Sequence, residues 1–146
     1  MAVKPVPDGY HTVTPYLTVK GANSLIDFIK RVFDGEETFR MGGDTVRHAE
    51  MRIGDSMLML SDATPENPPM PAMIHLYVDD ADAVYKRAIH AGASSLREPA
   101  DQFYGDRSAG VKDSFGNQWW INTHIEDVPP EELAKRAAAL GQPAGS

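Results

Sequence analysis

Polarity alternates from His11 to Val19, with Val13, Leu17 and Val19 on one side and Thr14, Tyr16 and Thr18 on the other. That is the period of a half-buried strand. Pro15 lacks an amide hydrogen and limits how fully this strand can pair. From residue 22 the period lengthens. Leu25, Ile26, Phe28, Ile29, Val32 and Phe33 recur at helical spacing, with Asn23 or Ser24 available as N-cap and Gly35 just after the end. Three short strand-like segments follow, at 36–41, 46–53 and 56–61, divided by Gly42-Gly43-Asp44 and Gly54-Asp55 turns. The first unit therefore reads βαβββ.

After a proline-rich loop from Ala63 to Pro71 the same pattern begins again. Met73 to Val78 alternates as a strand and Asp80 is placed to cap a helix. Ala81, Val84, Tyr85, Ala88 and Ile89 mark that helix, which ends near Gly92. Further strands are expected near 94–97, 107–112 and 117–123. Val19-x-x-Ala22-x-x-Leu25-Ile26 superposes on Val78-x-x-Ala81-x-x-Val84-Tyr85, so the halves repeat at a fixed offset. The expected class is α+β, with two βαβββ modules at about 11–62 and 72–124 inside one unit spanning 1–127. Pro129 and Pro130 before Glu131, Glu132, Leu133 and an alanine-rich run predict a short C-terminal helix within 128–146. Residues 1–10 read as an extended lead-in, and 141–146 as a loose tail.

Composition narrows the partners more than the fold. The chain has 146 residues, 42% apolar and 24% charged, which suits one compact domain. Fourteen Lys and Arg against 21 Asp and Glu give a net charge of −7, so no basic footprint for nucleic acid or an anionic membrane exists. The absence of cysteine excludes disulfides, thiolate metal sites and a thiol nucleophile. The N-terminus shows no apolar run like a signal peptide, and no stretch approaches 18 apolar residues, so the expected location is cytoplasmic. No G-x-G-x-x-G turn is present, and no nucleotide cofactor is expected.

Four segments carry a family resemblance: PYLTVKGANSLIDFIKRVFDGEE, HAEMRIGDSMLMLSD, YVDDADAVYKRAIHAGA and QFYGDRSAGVKDSFGNQWWINTH. In order and spacing, over roughly residues 9–127, they resemble the vicinal-oxygen-chelate superfamily, also called the glyoxalase/bleomycin-resistance/dioxygenase superfamily, and most of all its PhnB-like branch. The resemblance implies curved mixed sheets around a cleft, helices on the outer face, and a homodimer. It also implies a divalent metal at four strand positions, which by strand pattern fall here on Thr14, Met59, Met73 and Trp120. Thioether, indole and hydroxyl are poor partners for such cations, so no metal site and no cofactor are expected.

Alternation assigns the side chains of the cleft. If Val13, Leu17, Ile53, Leu58, Leu60, Ile74, Leu76, Val78 and Ile121 face the helices, the cleft receives Thr14, Tyr16, Arg52, Met57, Met59, Met73, His75, Tyr77, Trp120 and Asn122, together with His48 and Glu50. Methionines and aromatics form an adaptable lining for a planar or greasy small molecule, or else they simply fill a closed core. His48 and Glu50, two apart on one strand, are the candidate catalytic acid/base pair. His75 could join them in a substitute metal site. Alternatively Glu50 pairs with Arg52 or Arg47, and the histidines are hydrogen-bonded lining. In Tyr104-Gly105-Asp106-Arg107, Gly105 permits a tight turn. Asp106 and Arg107 either form an ion pair fixing a loop, or Arg107 receives an anionic ligand group. Asp113-Ser-Phe-Gly-Asn117 reads as a hairpin turn, and His11, His90 and His124 receive no role.

The leading functional expectation is a metal-independent small-molecule-binding protein, sequestering a hydrophobic or aromatic compound. The alternatives are a lyase or isomerase working through His48 and Glu50, a metal enzyme with relocated ligands, or a structural dimer with a vestigial cleft.

Overall fold

The computed structural model describes residues 2–141, so the expected loose tail lies outside the described residues apart from Gly141. The first sheet contains β1 (Tyr16–Val19), β2 (Glu36–Gly42), β3 (Val46–Ile53) and β4 (Ser56–Asp62), with α1 (Ala22–Phe33) following β1. The second contains β5 (Met73–Tyr77), β6 (Ser94–Asp101), β7 (Asp106–Lys112) and β8 (Gln118–His124), with α2 (Ala81–His90) following β5. A last helix, α3, spans Pro130–Ala139. Strand orders β1-β4-β3-β2 and β5-β8-β7-β6 are the same order repeated. In each sheet the first strand runs parallel to the last and the other pairs are antiparallel. The α+β, two-module arrangement with a short C-terminal helix is thus present. Among the described residues no helix is long and apolar enough to cross a membrane.

Local departures from the sequence reading have physical causes. β1 begins at Tyr16 rather than His11, because Pro15 offers no donor and only its carbonyl pairs, accepting from the Met59 amide at 3.0 Å. Val13 is therefore 81% exposed and does not face a helix. The α1 cap is neither Asn23 nor Ser24. Gly21 occupies the N-cap, and the Asp62 carboxylate from the far end of β4 accepts the Gly21 and Ala22 amides at 3.0 and 2.8 Å and the Val46 amide at 2.7 Å. Asn23 instead donates to the Gly43 and Asp44 carbonyls of the β2–β3 turn. Asp80 caps α2 as expected, accepting from Ala83, and Thr123 at the end of β8 accepts the Ala81 amide as Asp62 does that of Ala22. β6 runs on to Asp101 because it is an edge strand, where register shifts accommodate Pro99.

Helix-facing positions form the core. Leu17, Leu60 and Ala49 lie side by side across the first sheet, and Trp119 and Val111 across the second, all buried. The two modules meet through their helices and Trp119. Arg87 of α2 donates to the Val32 carbonyl of α1, while Phe28 and Phe33 of α1 pack on the Trp119 ring at centroid distances of 6.4 and 4.8 Å. The indole Nε1 donates to Asp113 at 2.8 Å. The same carboxylate accepts the Phe115 and Asn117 amides and the Asn117 side chain, which makes the Asp113–Asn117 segment the expected turn. Since the junction is helical, the sheet faces turned away from the helices are left to solvent.

Replacing Trp119 by Ala should cost about 3–5 kcal/mol of stability. Asp113→Ala, which orphans buried donors including the indole, should cost about 2–4 kcal/mol. Urea unfolding of both single variants and the double variant tests this, and the double should lose clearly less than the sum, because one hydrogen bond is removed twice.

Candidate functional site

Strand register builds one row of side chains across the open face of each sheet. In the first module Tyr16 pairs with Met59, Met59 with Glu50, and Glu50 with Phe39. In the second His75 pairs with Trp120, Trp120 with Gly110, and Gly110 with Arg97. The rows occupy equivalent places in the repeated strand order, yet their chemistry differs at every position.

The first row belongs to a hydrogen-bonded chain. His48 lies two residues before Glu50, so both side chains share the face. The imidazole Nε2 is 2.8 Å from Glu50 Oε2 and Nδ1 is 3.1 Å from the Tyr16 hydroxyl. The other carboxylate oxygen accepts the hydroxyl of Tyr10 from the lead-in. Hydrogen bonds from Tyr10 and then His48 hold the Glu50 carboxyl below its ordinary value. Burial, followed by the bond to Glu50 and its negative charge, pushes the Tyr10 hydroxyl up to about 12. Glu50 therefore orients His48 as an ionised acceptor, and the outward end of the chain is Tyr16, 48% exposed. Glu50 does not pair with Arg52 or Arg47, since Arg52 joins Glu36.

The second row is an aromatic stack. The Trp120 ring lies against Gly110, where an added Cβ would come within 2.5 Å of it, so only glycine leaves the ring its place. His75 stacks on Trp120 at 6.1 Å and 18°, and the Arg97 guanidinium carbon lies 4.9 Å from the indole centroid. Tyr77, 66% exposed, donates to Asp106 at 2.8 Å. The buried Asp106 also meets His124 Nδ1 at 2.8 Å, and His124 Nε2 lies 2.7 Å from Asp127. The sequence alone gives His124 no role and offers Asp106 only Arg107 as a partner. The signal available was the opposition of Asp106 and His124 across β7 and β8.

The remaining predicted residues divide. Arg107 turns away from the open face and is held by Asp82 of α2 at 2.6 Å and Asp101 at 3.0 Å, so the ion pair that fixes this region is not the one with Asp106. Gly105 adopts φ 100°, and an added Cβ would meet the Glu126 carbonyl at 2.2 Å, so the tight turn is real. Asn122 is buried, its amide donating to the Leu76 and Trp120 carbonyls. Met57, His75 and Tyr77 come together in a cavity of about 970 Å³ at the seam between modules, also lined by His11, Val13 and Pro15. The His48–Glu50 pair lies outside that cavity. Thr14 is half-buried in the lead-in, Met59 half-buried within the first row, and Met73 62% exposed at the start of β5.

At the four positions to which the resemblance assigns a metal, Thr14, Met59, Met73 and Trp120 offer a hydroxyl, two thioethers and an indole, a set that does not fit a hard or borderline divalent cation. His48 and Glu50 stand on the first sheet and His75 on the second. Among the described residues no three His, Asp or Glu side chains gather to hold a metal.

The paired βαβββ modules have their counterparts among known proteins. The sequence model of the glyoxalase/bleomycin resistance protein/dioxygenase superfamily matches residues 10–121, and the chain belongs to that superfamily. An uncharacterized protein of Mycobacterium bovis is 34% identical over 142 residues, covering 88% of this chain and 93% of the relative. Among solved structures, TioX from Micromonospora sp. ML1 superposes with a TM-score of 0.68 at 22% identity, covering 79% of this chain and 99% of its own. TnmS3, an antibiotic binding protein from Streptomyces sp. CB03234, gives 0.62 at 24% identity, covering 85% and 98%. At such identities both establish the fold alone.

Hydrogen bonding to Asp106 first, and to Asp127 second, raises the His124 imidazole above its ordinary 6.5. A group raised on folding stabilises fully below its unfolded value and loses that contribution as pH climbs through the folded one. Thermal unfolding of the protein and of His124→Gln should therefore differ most below about pH 6.5 and converge toward alkaline pH. A gap independent of pH would mean that the charged imidazole contributes nothing.

Proposed function

We propose that this protein binds a hydrophobic or aromatic small molecule, without a metal, at a cleft completed by a second copy of the chain. The observation that carries the reading is the exposure of aromatic and methionine side chains on both open sheet faces: Tyr16, Phe39 and Met41 on one, Met73 and Tyr77 on the other, beside the His75–Trp120 stack. Such apolar surface is what a ligand or a second copy covers. One chain turns its two faces outward, so a facing pair requires a partner. The antibiotic-binding neighbour supports the same reading. A place in the PhnB-like branch, a cytoplasmic setting and the absence of nucleic-acid or membrane partners belong to it as well.

Sedimentation should show a particle of two chains. Calorimetric titration with a panel of planar aromatic compounds should find a ligand whose affinity falls at least about tenfold in Trp120→Ala, and only slightly in His48→Ala. A monomer that binds none of the panel would sink the proposal. A second reading, acid/base catalysis as a lyase or isomerase, is favoured by the Glu50–His48–Tyr16 chain. It requires turnover of a bound compound that is lost in His48→Ala and Glu50→Gln.

A further inference from the structure

We infer that the ligand of the second module is anionic as well as planar, and that Arg97 is the residue that receives its negative charge. This rests on the binding reading above and adds a charge and a contact residue to it.

In this acidic chain most arginines find a carboxylate. Arg40, Arg52, Arg87, Arg107 and Arg136 each have one within ion-pairing distance. Among the described residues Arg97 has none, although the sequence carries 21 acidic side chains. Arg31 and Arg47 also lack a partner, but both are exposed and their charge is solvated. Arg97 is half-buried. Its Nη2 donates to Ser108 Oγ at 2.9 Å, and its Nε is the buried side-chain polar atom left without any hydrogen bond among the described residues. A partly desolvated guanidinium with no counter-charge is costly to keep, and a bound anion offsets that cost.

Arg97 closes the row that begins with His75 and Trp120, and its guanidinium sits against the same indole that offers a stacking surface. Gly110, between them in the row, carries no side chain to separate charge from ring. A planar ring stacked on this platform places a carboxylate or phenolate substituent within reach of a planar donor fork. The repeated frame does not demand a cation here, since the equivalent position in the first module is Phe39.

The test uses matched pairs of neutral and charged ligands on the full chain: benzoate, naphthoate and anthracene carboxylate, each beside its carboxamide, with naphthylmethylammonium as the opposite charge. Titration calorimetry should show each binding carboxylate preferred to its amide by about tenfold or more, and the ammonium weakest. Arg97→Met should erase that preference while leaving amide affinity within about twofold, and Arg97→Lys should restore part of it. Equal affinity of acid and amide in the unaltered protein, or a preference that survives Arg97→Met, overturns this inference and leaves the binding reading standing. If neither acids nor amides bind at any ring size, both fall. If Arg97→Met does not fold, the comparison within the unaltered protein still decides the charge of the ligand, and a weakened preference in Arg97→Lys decides the residue.

Discussion

Burial of one indole between two modules is the constraint on which the architecture turns. Trp119 sits on the second sheet, yet its ring packs on Phe28 and Phe33 of the helix that serves the first, and its N–H is satisfied by Asp113. A wholly buried indole is stable only if its donor finds a partner. Asp113 supplies it while also holding the turn into β8. Core, turn and module junction are therefore one unit. Because that junction runs through helices, both open sheet faces point outward, where a ligand or a second copy can reach them.

Much of the fold was legible in the sequence because it rests on period. Alternation and helical spacing located nearly all the elements, and the repeat located the modules. Period two also put His48 beside Glu50. What escaped was long-range polar pairing. The α1 cap comes from Asp62, 40 residues beyond the helix start, so local capping rules pointed to Asn23 or Ser24. Tyr10 reaches Glu50 across another 40 residues. Asp106 and Arg107 are neighbours in sequence, but adjacent strand residues face opposite sides, which sends Arg107 to α2 and Asp106 to Tyr77 and His124. Alternation continues through Val13 and Thr14, but Pro15 ends the pairing, so neither residue joins β1.

The duplicated frame holds two unlike surfaces. Cap positions correspond, with Asp62 and Thr123 performing one task, and strand orders correspond fully. Across the open faces the correspondence ends. One module presents Tyr16, Met59, Glu50 and Phe39, and the other His75, Trp120, Gly110 and Arg97. Fold and chemistry have separate bases here, since the helix-facing positions keep the modules alike and the outward positions are free to diverge. A cleft assembled from one face of each kind has two distinguishable walls.

The adjacency of Trp119 and Trp120 has a consequence for how β8 can change over time. These neighbours point to opposite sides, one into the core and one onto the open platform. Inserting or deleting a single residue between the Asp113 turn and this pair would exchange their roles, driving Trp120 toward a space shaped for its neighbour and carrying Trp119 away from Asp113. The outward positions of the strand can therefore be rewritten residue by residue, whereas its length cannot. Descendants of this chain are free to alter what β8 displays but not how many residues it contains.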